Sequence, residues 1–191
     1  MTKTKAAIFI SGRGSNMMAL VEAARAADFP AEFVLVVSND PAAAGLEWAA
    51  HQGVKTLGVD HRQFKGDREA HERVIDAELR AAGVEFICLA GYMRILTPWL
   101  VGQWDGKMIN IHPALLPEFK GLHTHERAIM AQAAEHGATV HWVTPGVDEG
   151  EIIAQARVPV LAHDTAETLA ARVLEQEHRL YPEALRKVLT A

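Results

Sequence analysis

Ala6-Ala7-Ile8-Phe9-Ile10-Ser11-Gly12-Arg13-Gly14-Ser15-Asn16 decides how the rest of the chain is read. Five apolar residues form a short strand and a glycine-rich turn follows directly. Met17, Leu20, Val21 and Ala24 then recur at i, i+3, i+4 and i+7, one face of a helix. Free backbone N–H groups and the helix dipole converge where such a turn enters its helix, which makes a ready anion site. The run is not a Walker P-loop, which needs Gly-Lys-Ser/Thr. Nor is it a full G-x-G-x-x-G, because Met17 stands at the last glycine position. The alternative is a tight turn that uses glycine for its geometry alone.

The same alternation continues. Glu32 to Ser38 reads as a second strand, and Asp40-Pro41 as N-cap and first position of a helix running to about Gln52, with Gly53 as its stop. Val54 to Val59 is a short third strand. From Asp67 a helix carries Val74, Ile75, Leu79 and Ala82 on one face and ends at Gly83. Arg68 in its first turn is unfavourable beside the dipole, so it either faces an anion or is simply solvated. Val84 to Ala90 is apolar except at Glu85, as a strand covered on both faces should be. Four alternations of strand and helix predict a parallel sheet with helices on both sides. Ligands of such sheets bind beyond the carboxyl ends of the strands. The turns Gly12–Asn16, Gly91–Leu96 and Asn110–Pro117 all lie at such ends.

Lys107 to Pro117 is an apolar strand running into two prolines. Pro113 crowds His112 into an extended conformation. Asn110 and His112 then share one face of the strand end, with Ile109 and Ile111 on the other. The pair is either aimed into a cleft or caps a turn. Gly91 to Leu96 is likewise either an apolar loop at the cleft or a buried connector. Thr97-Pro98 starts a short helix, and His123-Thr124-His125 precedes a helical stretch to about Ala134. These histidines, with His112 and His141, lack a nearby Cys or spaced carboxylate partner, so no metal site is expected.

Ala138 to Thr144 is a strand with Thr139 and His141 on one face. Pro145 to Gly150 is a loop with two carboxylates, and Ile152 to Val160 completes a hairpin that makes the sheet mixed. Asp164-Thr165-Ala166-Glu167 is read as a capping box opening the last helix. Its apolar stripe, Leu169, Val173 and Leu180, includes Glu177. A carboxylate facing inward is costly unless paired, so Glu177 is an ion-pair member or a ligand group. Pro182 is expected to break this helix near its end. The expected fold is α/β: a single-domain, Rossmann-like, mostly parallel sheet flanked by helices, with a C-terminal antiparallel hairpin and a long C-terminal helix.

At 191 residues, 49% of them hydrophobic, the chain can bury one sizeable core. A net charge of −5 argues against a general nucleic-acid-binding surface. The single cysteine, Cys88, lies in an apolar run, which fits packing in a reducing cytoplasm. The N-terminal apolar run is too short for a signal peptide, and no 18-residue apolar run exists. A soluble, cytoplasmic protein of one domain, 1–191, is expected, as monomer or homodimer.

The assembled set resembles the glycinamide ribonucleotide formyltransferases, folate-dependent enzymes of purine synthesis. The matching stretches are Ile10 to Asn16, Leu89 to Leu96, Ile109 to Pro117, Val140 to Val143 leading to Asp148, and Gln176 to Pro182. Asn-x-His-Pro with a downstream Asp is shared by a wider group of formyl-transferring and formyl-hydrolysing enzymes. Glu149 departs from the smaller residue often found after that Asp.

The resemblance implies formyl transfer from 10-formyltetrahydrofolate to glycinamide ribonucleotide, with Asn110, His112 and Asp148 catalytic. It implies phosphate on Gly14, Ser15 and Asn16, with Glu177 toward the ribose or amine. Met93, Ile95, Leu96 and Val143, together with Asn110, would meet the folate, with Arg94 and Arg68 toward its carboxylate tail. Residues 1–105 would then hold the nucleotide phosphate and residues 106–191 the catalytic and folate-binding groups. The rivals are a formyltetrahydrofolate hydrolase, expected to carry an extra N-terminal domain, and a methionyl-tRNA formyltransferase, expected to carry an added C-terminal domain and a basic face. A non-catalytic nucleotide-binding module would be expected to lack Asn110, His112 or Asp148.

Overall fold

A computed structural model describes residues 2–191. Its seven strands are β1 (Thr4–Ile10), β2 (Ala31–Ser38), β3 (Thr56–Gly58), β4 (Phe86–Leu89), β5 (Met108–His112), β6 (Glu135–Trp142) and β7 (Ile152–Pro159). They form one sheet in the order β3-β2-β1-β4-β5-β6-β7. The first five run parallel, and β6 pairs antiparallel with both β5 and β7. The helices are α1 (Ser15–Ala23), α2 (Ala44–His51), α3 (Arg68–Ala81), α4 (Pro98–Gln103), α5 (Thr124–Met130) and α6 (Ala166–Leu189). The expected mixed α/β sheet, hairpin and long last helix are all present.

Strand alternation divides the core in two. Ala6, Ile8 and Ile10 of β1 face a layer containing Leu20, Val21, Leu169, Val173 and Tyr181. Ala7 and Phe9 face Ile75, Leu79, Leu100 and Trp104. All five β1 residues are fully buried, each large one stabilising the fold by about 1.5–3 kcal/mol. Cys88 is buried in the first layer, where burial pushes its thiol far above the ordinary range, so it packs and does not react. Among the described residues no helix is long and apolar enough to cross a membrane.

Several elements differ from the sequence reading. Pro182 does not end α6, which runs on to Leu189. The ring removes one helical hydrogen bond, but Tyr181, Ala184 and Leu185 are buried around it, and the Tyr181 hydroxyl donates to Leu89 O at 2.7 Å. Tertiary burial outweighs the local cost. The capping box is Thr165 with Thr168, not Asp164 with Glu167, because Asp164 is taken by Arg172 through two 2.8 Å bonds. That pairing, with further bonds, holds the Asp164 carboxyl well below the usual carboxylate range.

Helix α2 starts at Ala44 rather than beside Pro41; Asp40 instead accepts from Ala42 N–H at 2.9 Å and closes a turn. Val74 of α3 is 44% exposed and lies outside the buried stripe. Strand β3 is three residues long, and α5 ends at Met130, before a left-handed Gln132.

Candidate active site

Strands β1 and β4 are neighbours, but their crossovers leave in opposite directions, to β2 on one side and β5 on the other. Ligand crevices form at such a switch point, beyond the carboxyl ends of the strands. Two adjoining cavities open there. One, of about 350 Å³, is lined by Ser11 to Asn16 with Ala90, Gly91 and Met93. The other, of about 790 Å³, runs from Gly91–Leu96 past Asn110 and His112 to Val143–Asp148. Asn16, Gly91 and Met93 line both.

The small cavity is built on the turn quoted first. Gly14 is the N-cap of α1 at φ 72°, a left-handed conformation that suits glycine, and no side chain caps the helix. The first turn of α1 holds no acidic residue. A Cβ on Gly14 would point inward, 2.9 Å from Met17 Cε, and not into the cavity. The turn is braced from behind by Gly45, whose N–H donates to Gly12 O at 3.0 Å. Asn16 Nδ2 donates to Glu177 Oε1 at 3.1 Å, and both residues are buried. Among the described residues Glu177 therefore has no ion-pair partner. Burial raises its pKa, and the bond from Asn16 opposes that rise. Glu177 faces the larger cavity.

The polar floor follows from register. Across the antiparallel β5–β6 pair, Asn110 lies opposite His141 and His112 opposite Thr139. Asn-x-His on one strand therefore meets Thr-x-His on the other. Thr139 Oγ1 donates to Ala114 O at 2.7 Å and accepts Leu116 N–H at 3.1 Å, while Gln155 Nε2 donates to Leu116 O at 2.9 Å. These bonds pin the turn after His112.

His112 is 6% exposed. Its Nε2 lies 2.9 Å from Phe119 O and its Nδ1 3.4 Å from Asp148 Oδ2. Both ring nitrogens face acceptors, a pattern that the imidazolium satisfies in full. Asp148 stands in the left-handed region, φ 52°, and its Oδ2 also accepts Gly121 N–H at 2.9 Å. Strained non-glycine residues of this kind cluster at functional loops, and Asp tolerates the conformation better than most.

His141 is the residue that sequence reasoning undervalued. Its Nδ1 donates to Trp142 O at 2.9 Å, leaving the Nε2 lone pair 3.3 Å from Asn110 Nδ2. Burial lowers its pKa, against the opposing pull of the Trp142 carbonyl and of Asp148, and so favours the neutral ring that can accept. Asn110 thus gives one amide hydrogen to His141 and keeps the other for the cleft. The signal was available: Thr139-x-His141 repeats the spacing of Asn110-x-His112.

Around this floor Met93 and Ile95 stand 65% and 60% exposed on the cleft wall, Leu96 is buried at its edge, and Arg94 and Val143 complete the lining. The loop Gly91–Leu96 is therefore a wall of the cleft and not a buried connector. Arg68 does not line the cleft: its Nη1 donates to Ile95 O at 3.2 Å from outside. Glu149 turns away toward Lys120, 3.7 Å from its Nζ. Among the described residues no group of three or more His, Cys, Asp or Glu side chains is arranged to hold a metal ion.

Residues 4–185 match the family described as formyl transferase. The chain belongs to the formyl transferase family. The chain is 41% identical over 175 residues to the phosphoribosylglycinamide formyltransferase of Escherichia coli (strain K12), covering 92% of itself and 82% of that protein. It is 47% identical over 185 residues to the trifunctional purine biosynthetic protein adenosine-3 of Drosophila pseudoobscura pseudoobscura. That match covers 96% of the chain but only 14% of the fly protein's length. Among solved structures, the phosphoribosylglycinamide formyltransferase of Brucella melitensis superposes with a TM-score of 0.94 at 52% identity, covering 100% of this chain and 97% of that one.

Proposed function

We propose that the chain transfers the formyl group of 10-formyltetrahydrofolate to the amine of 5-phosphoribosylglycinamide by direct attack. The observation that carries this reading is the convergence of Asn110, His112 and Asp148 in the large apolar cleft, which adjoins the small polar cavity through Asn16, Gly91 and Met93. An anion site and an apolar slot meeting at hydrogen-bond donors suit a phosphorylated amine and a flat ring system reacting at the junction. Membership of the formyl transferase family and the named bacterial relatives support the same reaction.

In this reading the phosphate lies on Gly14, Ser15 and Asn16, with Glu177 accepting from the ribose or amine end. The folate ring lies against Met93, Ile95, Leu96, Val143 and Asn110, with its carboxylate tail toward Arg94, while Arg68 holds Ile95 O from behind the wall. Residues 1–105 hold the nucleotide phosphate and residues 106–191 the reacting groups.

The amine nitrogen attacks the formyl carbon, and the carbonyl electrons move to oxygen. That oxyanion receives the free Asn110 amide hydrogen and is stabilised by the positive charge of the His112 imidazolium, whose two N–H groups face Phe119 O and Asp148. Asp148 holds His112 charged and passes the proton released by the amine, through water, to the departing folate nitrogen. The amine is itself a competent nucleophile, so no covalent enzyme intermediate is required. The test is formyl consumption with and without glycinamide ribonucleotide. Consumption only with the ribonucleotide supports transfer, whereas equal turnover without it moves the assignment to a hydrolase.

The turn itself can be tested from behind. A Cβ on Gly45 would lie 2.5 Å from Ile10 Cδ1, 2.8 Å from Arg13 O and 2.9 Å from Gly12 O, so Gly45→Ala must displace the turn. Such overpacking typically costs about 1–3 kcal/mol. The KM for the ribonucleotide should rise about tenfold, equivalent to 1.4 kcal/mol, with the folate KM nearly unchanged. Lower stability with both constants intact would reduce this turn to a structural element.

A further inference from the structure

The loop Gly91–Leu96 forms one wall of the cleft, yet among the described residues it makes no backbone–backbone hydrogen bond of its own. Tyr92 packs edge-on against Phe9 and Leu96 joins the core, but Met93 and Ile95 between them are more than half exposed. Three side chains from other elements fix its course. Ser11 Oγ accepts Met93 N–H at 2.8 Å and is itself held by Asn39 at 2.5 Å. Arg68 donates to Ile95 O. Glu72, on α3, accepts Thr97 N–H at 2.8 Å through Oε1 and the Thr97 hydroxyl through Oε2.

Glu72 is the most committed of the three. It is 2% exposed, and burying a carboxylate is costly without full compensation. Its two acceptors go to one residue, the last before α4. Thr97 is the N-cap of α4 but makes no side-chain cap to its own helix; its hydroxyl is turned back to Glu72 instead. A residue type suited to capping α4 is thus used to tie the loop's end to α3.

We propose that Glu72, which does not touch the cleft, is a positioning residue that sets the shape of the Gly91–Leu96 wall and so the fit of the folate ring system. The proposal rests on the reading that this cleft takes the folate. Glu72→Gln keeps the shape but removes the charge, so the bond from Thr97 N–H weakens and the Thr97 hydroxyl must turn from donating to accepting. The KM for 10-formyltetrahydrofolate should rise about tenfold, as expected when a hydrogen bond to a charged group is lost, while the ribonucleotide KM stays within about twofold. Thr97→Val, which removes only the hydroxyl donor, should shift the folate KM in the same direction by less. Thr97→Ser, which restores it, should return the folate KM to the parent value.

A Glu72→Gln protein that melts lower but binds folate as the parent does would overturn the proposal, as would equal rises in both KM values. Should Glu72→Gln fail to fold, the Thr97 pair decides: an unchanged folate KM in Thr97→Val overturns it. A parent protein that transfers no formyl group from the folate overturns the underlying reading, and this proposal with it.

Discussion

Acidification from pH 6.5 to 4 should cost the fold on the order of 3 kcal/mol through His136 alone. His136 is 1% exposed, its Nδ1 has no partner among the described residues, and its Nε2 lies 3.2 Å from His125 Nδ1. Burial, and then the charges of His125 and His112, lower its pKa to about 4. The sign follows from which state binds the proton. An unfolded histidine takes one up near pH 6.5, whereas the folded one does so only near 4. Between those values the unfolded state binds more protons, so stability is complete above about 6.5 and falls as pH drops, levelling off below about 4.

His71, His125, His141 and His178 are shifted downward by burial as well, so their contributions carry the same sign. Urea denaturation at pH 7 and at pH 4.5 should show the loss, and His136→Gln should remove a large part of the difference between the two. An identical pH-dependent loss in the variant would place the titrating groups elsewhere.

Much of this architecture was legible because it depends on local pattern. Strands covered on both faces read as unbroken apolar runs, and the stripe of α6 correctly pointed Glu177 inward. The Asn110–His112 pair was readable because Pro113 and the period of two fix which face the side chains share. What could not be read was set by distant partners. Pro182 sits inside a helix because Tyr181 reaches the Leu89 carbonyl of β4, a contact between residues 92 positions apart. The part played by His141 depends on strand register, which places it opposite Asn110. Arg68 carried a charge signal in the sequence and Glu72 carried none that was read; the packing of α3 behind the Gly91–Leu96 loop gives both a purpose.

Replacing Asp148 by Asn should leave a folded protein that turns over on the order of 10²–10³-fold more slowly. The fold should tolerate the change. Asn adopts the left-handed conformation of position 148 readily, and its amide oxygen can still accept Gly121 N–H. What disappears is the negative charge 3.4 Å from His112 Nδ1; the oxygen kept for Gly121 N–H still faces that nitrogen, but as a neutral amide it no longer stabilises the cation. Because that cation stabilises an oxyanion present only in the transition state, the loss should fall on kcat, with both KM values close to the parent's. Asn110→Ala and His112→Ala should have effects of similar size, the first by removing the oxyanion donor and the second by removing the cation beside it. Residues that act as a unit are not additive, so Asp148→Asn combined with His112→Ala should be little worse than the poorer single variant. If these side chains only shape the turn after β5, the same substitutions should lower the melting temperature while kcat per folded molecule stays nearly intact. Steady-state kinetics and thermal melts on the same samples separate the two outcomes, and near-normal kcat in a well-folded Asp148→Asn protein would end the mechanism proposed above.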